Sequence, residues 1–207
     1  MTERLSLVRR GFRLAIFTVA WNVLEGIIAI VSGLFAGSVA LVGFGVDSFV
    51  EAASGIVVGW RFSYEMRGRS EEQAEKAEHL ASRVAGTLLL ILAVYLLIDS
   101  SRRLIGYGRE PDPSLPGIAL TILSLAVMPI LARAKLKTAA ALGSKALRAD
   151  AYETIACAWL SATTLTGLVL NAAFGWWWAD PAAALVLIPF IVREGLEGLR
   201  GECDDEE

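Results

Sequence analysis

Long stretches of this sequence carry no charge at all. No Asp, Glu, Lys or Arg stands between Asp112 and Arg133, and none between Glu153 and Asp180. Charged residues make up only 20% of the chain against 55% hydrophobic, with a mean hydropathy of +0.55. A soluble fold of this length scatters its charges; these are clustered. The apolar runs are continuous, without the alternating segments of about ten residues that a membrane β-barrel needs. Histidine is nearly missing: His79 stands alone. With no Ser or Cys nucleophile paired to a histidine inside the apolar runs, the sequence does not read as an enzyme. The two cysteines, Cys157 and Cys203, fall in an apolar run and in the tail, so no disulfide framework is implied. No basic stripe interleaved with aromatics is present, which excludes nucleic acid as a partner. The net charge of −3 says little more. The arginines Arg4, Arg9, Arg10 and Arg13 precede an apolar run that is too long for a signal peptide and lacks a convincing cleavage site.

What is there is a set of apolar segments of membrane length. Spanning the hydrocarbon core takes roughly 20 apolar residues as a helix, and helices satisfy their own backbone there. The expected fold is all-α: a polytopic membrane protein, a bundle of six transmembrane helices with N and C termini cytoplasmic. Spans are expected at about 14–35, 38–60, 80–101, 116–132 (with a helical extension), 149–171 and 178–195. The organisation is then a cytoplasmic N-terminal segment 1–13, a six-helix domain 14–195, and an acidic cytoplasmic tail 196–207. No soluble domain is expected after span 6, because about a dozen residues build no core. The tiny linker Ala36-Gly37 makes spans 1 and 2 a hairpin, and 102–115 reads as a loop.

Orientation follows from Lys and Arg between the spans. Sixteen of the nineteen lie on the side of the N-terminus, 61–83, 133–148 and the C-terminus; the other side has only Arg102, Arg103 and Arg109. Trp176, Trp177 and Trp178 fit an aromatic belt at the outer interface. Gly33–Gly37 and Gly55–Gly59 are GxxxG pairs, read as tight packing between spans. The 61–78 segment, with Glu72 and Lys76 one turn apart, reads as a solvated helix or loop. Asp180-Pro181 is expected to cap span 6, and His79 to lie on the surface.

The chemistry sits in the spans. Ionisable side chains there are costly, face the bundle interior, and mark ion or proton paths. Asp47 and Glu51 in span 2 are four apart, on one helix face. Like charges at that spacing repel; a bound divalent cation or a retained proton relieves the repulsion. In span 5, Asp150, Glu153 and Cys157 at i, i+3 and i+7 again share a face. At 1.5 Å per residue, Glu51 and Cys157 both lie about 13 Å from the cytoplasmic side, near the bilayer middle. Carboxylates opposite a carboxylate and a thiol offer four ligands, a set that suits zinc and not magnesium or calcium. The candidate metal ligands are therefore Asp47, Glu51, Glu153 and Cys157. The bland alternatives are a structural hydrogen-bonded acid pair and, for Cys157, an apolar filler. Glu25 and Asn22 in span 1, with Asp150, are candidates for a proton carrier or auxiliary ligand; Glu25 reads equally as a hydrogen-bonding group across the bundle.

Three segments carry a family resemblance: SVALVGFGVDSFVEAASG, LRADAYETIACAWLS and WWWADPAAALVLIPFIVREGLEGL. Together, over roughly residues 11–200, they resemble the cation diffusion facilitator family. GWRFSYE at the end of span 2 resembles the subgroup that includes transmembrane protein 163. The resemblance implies a six-span exporter of a divalent transition metal, most simply zinc, that exchanges metal for protons and works as a homodimer in the cell membrane. No prosthetic group is implied; the metal is the substrate, and the partners are metal, protons, lipid and a second copy. Asp47 and Glu51 match the family's span-2 ligands. Glu153 stands where many zinc members have His, and Cys157 where they have Asp. The protein is expected to lack the family's cytoplasmic metal-binding domain. The acidic tail with Cys203 reads as a solvated charge run. The rival reading is a membrane metal-binding sensor or scaffold that does not transport.

Overall fold

The computed structural model describes residues 2–66, 72–107 and 111–200, without the side chains of 2–3, 72–86, 88, 145, 194, 197, 198 and 200. The expectations for the solvated charges of 61–78, for His79 and for the tail with Cys203 fall wholly or mainly outside them. Six helices make up the described residues: α1 Thr2–Ala36, α2 Val39–Met66, α3 Glu72–Leu104, α4 Leu115–Leu142, α5 Lys145–Phe174 and α6 Ala179–Arg200. Among the described residues, four stretches are long and apolar enough to cross a membrane: Arg4–Ala36, Val39–Met66, Leu115–Leu142 and Ala146–Phe174.

The distribution of side chains is that of a membrane bundle. Asn22, Lys135, Thr154 and Asp180 are fully enclosed, while Phe35 is 80% exposed and Leu34 and Ile130 are each 67% exposed. In water that arrangement would be inside out; against lipid tails an apolar exterior is at home. The chain is an integral, multi-pass membrane protein.

Short turns join α1 to α2 and α4 to α5 and are built from their own residues. Gly37 adopts φ +67 between α1 and α2. Between α4 and α5 the turn is Gly143–Ser144. Gly143 takes the left-handed conformation at φ +65 that ends α4. Ser144 then caps α5 by accepting from the Leu147 N–H at 3.3 Å. The basic 133–148 connection is thus mostly helix. Lys135, counted there as a loop charge, lies inside the bundle, which leaves the charge asymmetry intact.

One end of the bundle gathers the α1–α2, α3–α4 and α5–α6 connections. Arg103 Nη1 donates to the Gly37 carbonyl at 2.6 Å, placing a cation at the C-terminal end of α1. The Asp112 N–H donates to the Ala36 carbonyl at 2.7 Å, and Asn171 Nδ2 to the Pro111 carbonyl at 2.8 Å. Asp180 corrects its sequence reading. Its carboxylate caps α2 and not its own helix: it accepts from the Ser38 hydroxyl and from the Val39 N–H at 2.9 Å. The reason is position. Asp180 is the second residue of α6, already inside the helix, and it abuts the first turn of α2, whose N–H groups lack intrahelical partners. At the other end, Val8, Phe12, Val58, Phe62, Ala146 and Leu147 close the bundle.

Helices α1 and α2 pack closely through glycines on both. A Cβ on Gly33 would meet the Val42 N at 2.9 Å, and one on Gly45 the Ile30 N at 2.9 Å. Gly55 lies against Thr18 and Val19, so these small residues serve contact between α1 and α2 within one chain. Elsewhere in the bundle α4 packs on α5, α1 on α4 and α2 on α5, while α3 pairs with α6.

Candidate functional site

The four helices α1, α2, α4 and α5 turn polar stripes toward one another. On α5, Asp150, Thr154, Cys157, Ser161 and Thr164 are all buried, at alternating spacings of four and three residues that keep one face inward. On α4 the stripe is Thr121, Ser124, Met128, Leu131, Lys135 and Thr138. On α1 it is Thr18, Asn22 and Glu25, and on α2 Asp47, Ser48 and Glu51.

These stripes meet in two places. Toward the α2–α5 contact, Thr154 Oγ1 donates to Glu51 Oε1 at 2.6 Å. The same hydroxyl accepts from Lys135 Nζ at 2.7 Å. Lys135 Nζ is 2.8 Å from Asp150 Oδ2 and 3.8 Å from Glu51 Oε1. The Cys157 thiol stands beside the Glu51 carboxylate and within electrostatic range of Asp47 and Glu25. The second meeting point is Ser48, whose hydroxyl lies 3.1 Å from Glu25 Oε2, joining α2 to α1. The Ser161 and Ser124 hydroxyls lie 3.1 Å apart and join α5 to α4. Glu25 Oε1, Glu51 Oε2 and both side-chain polar atoms of Asn22 are buried without a hydrogen-bond partner among the described residues. Buried polar atoms left unmatched are costly, which makes these residues candidates for ligand contacts.

The candidate residues are placed as follows. Asp47, Glu51 and Cys157 are buried, and Glu25, Asn22 and Asp150 with them. Glu153 lies at the flank of the α5 stripe and is half-buried; the position that faces Glu51 directly is Thr154. Among the described residues, no three His, Cys, Asp or Glu side chains converge at metal-ligand spacing. Asp150, an auxiliary candidate, is engaged by Lys135.

Two site residues escaped the sequence reading, Thr154 and Lys135. Both had a signal. Lys135 continues the inward stripe of α4, seven residues beyond Met128, and Thr154 lies midway between Asp150 and Cys157 on α5. A cation next to a run of basic residues reads as a loop unless the helix period is carried through it.

Sequence comparison with known proteins gives the family. The cation efflux transmembrane domain matches residues 15–201. An uncharacterized transporter of Synechocystis sp. is 31% identical over 152 residues, covering 72% of this chain and 49% of its own length. An uncharacterized transporter of Methanocaldococcus jannaschii is 26% identical over 86% of this chain and 63% of its own. A protein of Bacillus velezensis named cadmium, cobalt and zinc/H(+)-K(+) antiporter is 25% identical over 58% of this chain and 38% of its own. The chain thus spans between about two fifths and two thirds of the length of these curated relatives. The family is one of membrane transporters and not of enzymes. With the domain match extending over nearly the whole six-helix bundle, the chain belongs to the cation efflux transmembrane-domain family.

Proposed function

We propose that this chain carries a divalent transition-metal cation, zinc foremost, out of the cytoplasm in exchange for protons. The observation that supports this best is the pair Asp47 and Glu51, buried one turn apart on α2, with Glu51 reaching across to α5. Acids enclosed in a membrane bundle favour a cation that repays their lost hydration. Asp47, Glu51, Glu153 and Cys157 are the ligands in this reading, drawn together when the ion arrives. Three oxygen donors and a thiolate keep the site soft enough for zinc or cadmium. The name of the Bacillus velezensis relative supports the same ions and the proton coupling.

The mechanism follows from the chemistry of the ligands. Carboxylates and a thiol bind metal only after losing their protons, so loading releases protons and reprotonation releases metal. In this reading Glu25, on the neighbouring helix with Ser48 beside it, passes a proton or adds a ligand, and Asn22 assists it. Rocking of the helices then exposes the site alternately to the two sides. Both termini are cytoplasmic in this scheme, and two copies form the working unit. The six-helix domain in this reading is 14–195.

Reconstituted vesicles with an imposed proton gradient test it. Zinc, cadmium, cobalt, iron and manganese are compared side by side. Zinc flux that follows the gradient supports the reading. Saturable zinc binding without flux of any of the five metals would instead assign the chain to sensing or scaffolding.

A further inference from the structure

Lys135 is fully enclosed on α4, with its ammonium against Thr154, Asp150 and Glu51. We propose that Lys135 is a tethered counter-cation of the transport site: it holds the carboxylates of Glu51 and Asp150 while cargo is absent, and a divalent ion displaces it. This rests on the transport reading given above.

The geometry favours displacement over a fixed brace. A structural partner for Asp150 alone would be satisfied by the 2.8 Å contact. Yet the ammonium also faces Glu51 at 3.8 Å, and the two share the Thr154 hydroxyl as a bridge. Glu51 Oε2 has no hydrogen-bond partner among the described residues, with the Cys157 thiol beside the carboxylate. Two enclosed carboxylates with no cation near them must either hold protons or be strongly destabilised, so a tethered ammonium lets Glu51 and Asp150 stay ionised when cargo is absent. Lysine suits the part: a compact ammonium on a flexible four-carbon stem can withdraw without disturbing the helix, whereas the planar arginine fork locks onto carboxylates.

A selectivity rule follows. A monovalent ion brings no more charge than the ammonium it must expel, and the ammonium is already tethered at the site. A divalent ion brings twice the charge. Lys135 thereby favours divalent cargo. By returning to Glu51 it also helps the ion leave.

Zinc binding to the purified chain in lipid nanodiscs tests this, alongside zinc flux in vesicles. Lys135→Met removes the competitor and is expected to bind zinc about tenfold tighter or more, given the usual coupling of close buried charges. Its flux should show a lower KM together with a lower maximal rate, a combination that a merely structural lysine would not give. Lys135→Arg keeps the charge and should not tighten binding. Should Lys135→Met fail to fold, the pair Asp150→Asn and Lys135→Met/Asp150→Asn answers the same question with the buried charges balanced. The double variant is then expected to bind about tenfold tighter than Asp150→Asn alone. Zinc binding by the wild type that is equal or weaker in the Lys135→Met forms overturns the tethered cation and leaves the transport reading standing. Absence of zinc and cadmium binding in every form, wild type included, overturns both.

Discussion

Thr154 and Glu51 join α5 to α2 through a hydroxyl–carboxylate hydrogen bond of 2.6 Å. A threonine hydroxyl has one proton to give. Here two acceptors lie within its reach, Glu51 Oε1 at 2.6 Å and the Asp150 carbonyl at 3.0 Å, with the carboxylate the nearer, while the oxygen accepts from Lys135. Thr154 therefore fixes the aim of the acid in the middle of the candidate site. Thr154→Val keeps the shape and removes the bridge. We expect a stability loss of about 1 kcal/mol, typical of one hydrogen bond between membrane helices, and a several-fold fall in zinc flux. Unfolding in mixed micelles and vesicle flux measure the two, and Thr154→Ser should recover most of both.

The cap formed by Asp180 predicts a specific coupling. Ser38 and Val39 both donate to its carboxylate, so α6 is pinned to the start of α2. Asp180→Asn weakens both bonds; Asp180→Ala removes them and leaves the first N–H groups of α2 without an acceptor. The alanine variant should lose about 1–3 kcal/mol. A double-mutant cycle with Ser38→Ala should return a coupling above about 0.5 kcal/mol. Strict additivity would show that the contact carries no energy.

Close approach of α1 and α2 separates two glycines that look alike in sequence. A methyl group on Gly33 would press on the Val42 side chain at 2.8 Å and its backbone nitrogen at 2.9 Å, and backbone cannot step aside. On Gly59 it would meet only the Ala15 Cβ at 3.4 Å, an ordinary contact. Gly33→Ala should therefore destabilise the bundle by about 1–3 kcal/mol, while Gly59→Ala should be close to neutral. Thermal unfolding of the two variants, run together, checks the order.

Much of this architecture was legible in the sequence, because the constraint of the membrane is strong. Continuous apolar runs marked the helices, and acids inside them marked the interior: Asp47, Glu51 and Glu25 are all enclosed. What was not legible depended on partners far away in sequence. Asp180 next to Pro181 resembles a local cap, yet its acceptor role belongs to a helix some 140 residues earlier, which no local pattern reports. Lys135 was hidden among neighbouring basic residues, although its spacing from Met128 follows the inward face of α4. Glu153 and Thr154 are adjacent, and one residue of helix is a 100° turn. Residue types alone favoured Glu153 as the ligand; the fold sets Thr154 opposite Glu51 and Glu153 to its side.

Among the four proposed ligands Asp47, Glu51, Glu153 and Cys157, sulfur comes from Cys157. Thiolate favours soft ions over hard ones. Cys157→Ser should lower cadmium flux about tenfold while lowering zinc flux less, and manganese should change little. Parallel flux of the three ions in vesicles reads the ratio. An unchanged cadmium-to-zinc ratio would place the sulfur outside the coordination sphere.

The most direct measurement is proton-driven zinc flux in vesicles carrying the wild type, Asp47→Asn or Glu51→Gln, each shown to be folded and inserted. The buried acids of α2 are predicted to grip the ion, so both variants should lose at least about 90% of the flux, as removal of a charged ligand commonly costs tenfold or more. Wild-type flux in either variant would contradict the account.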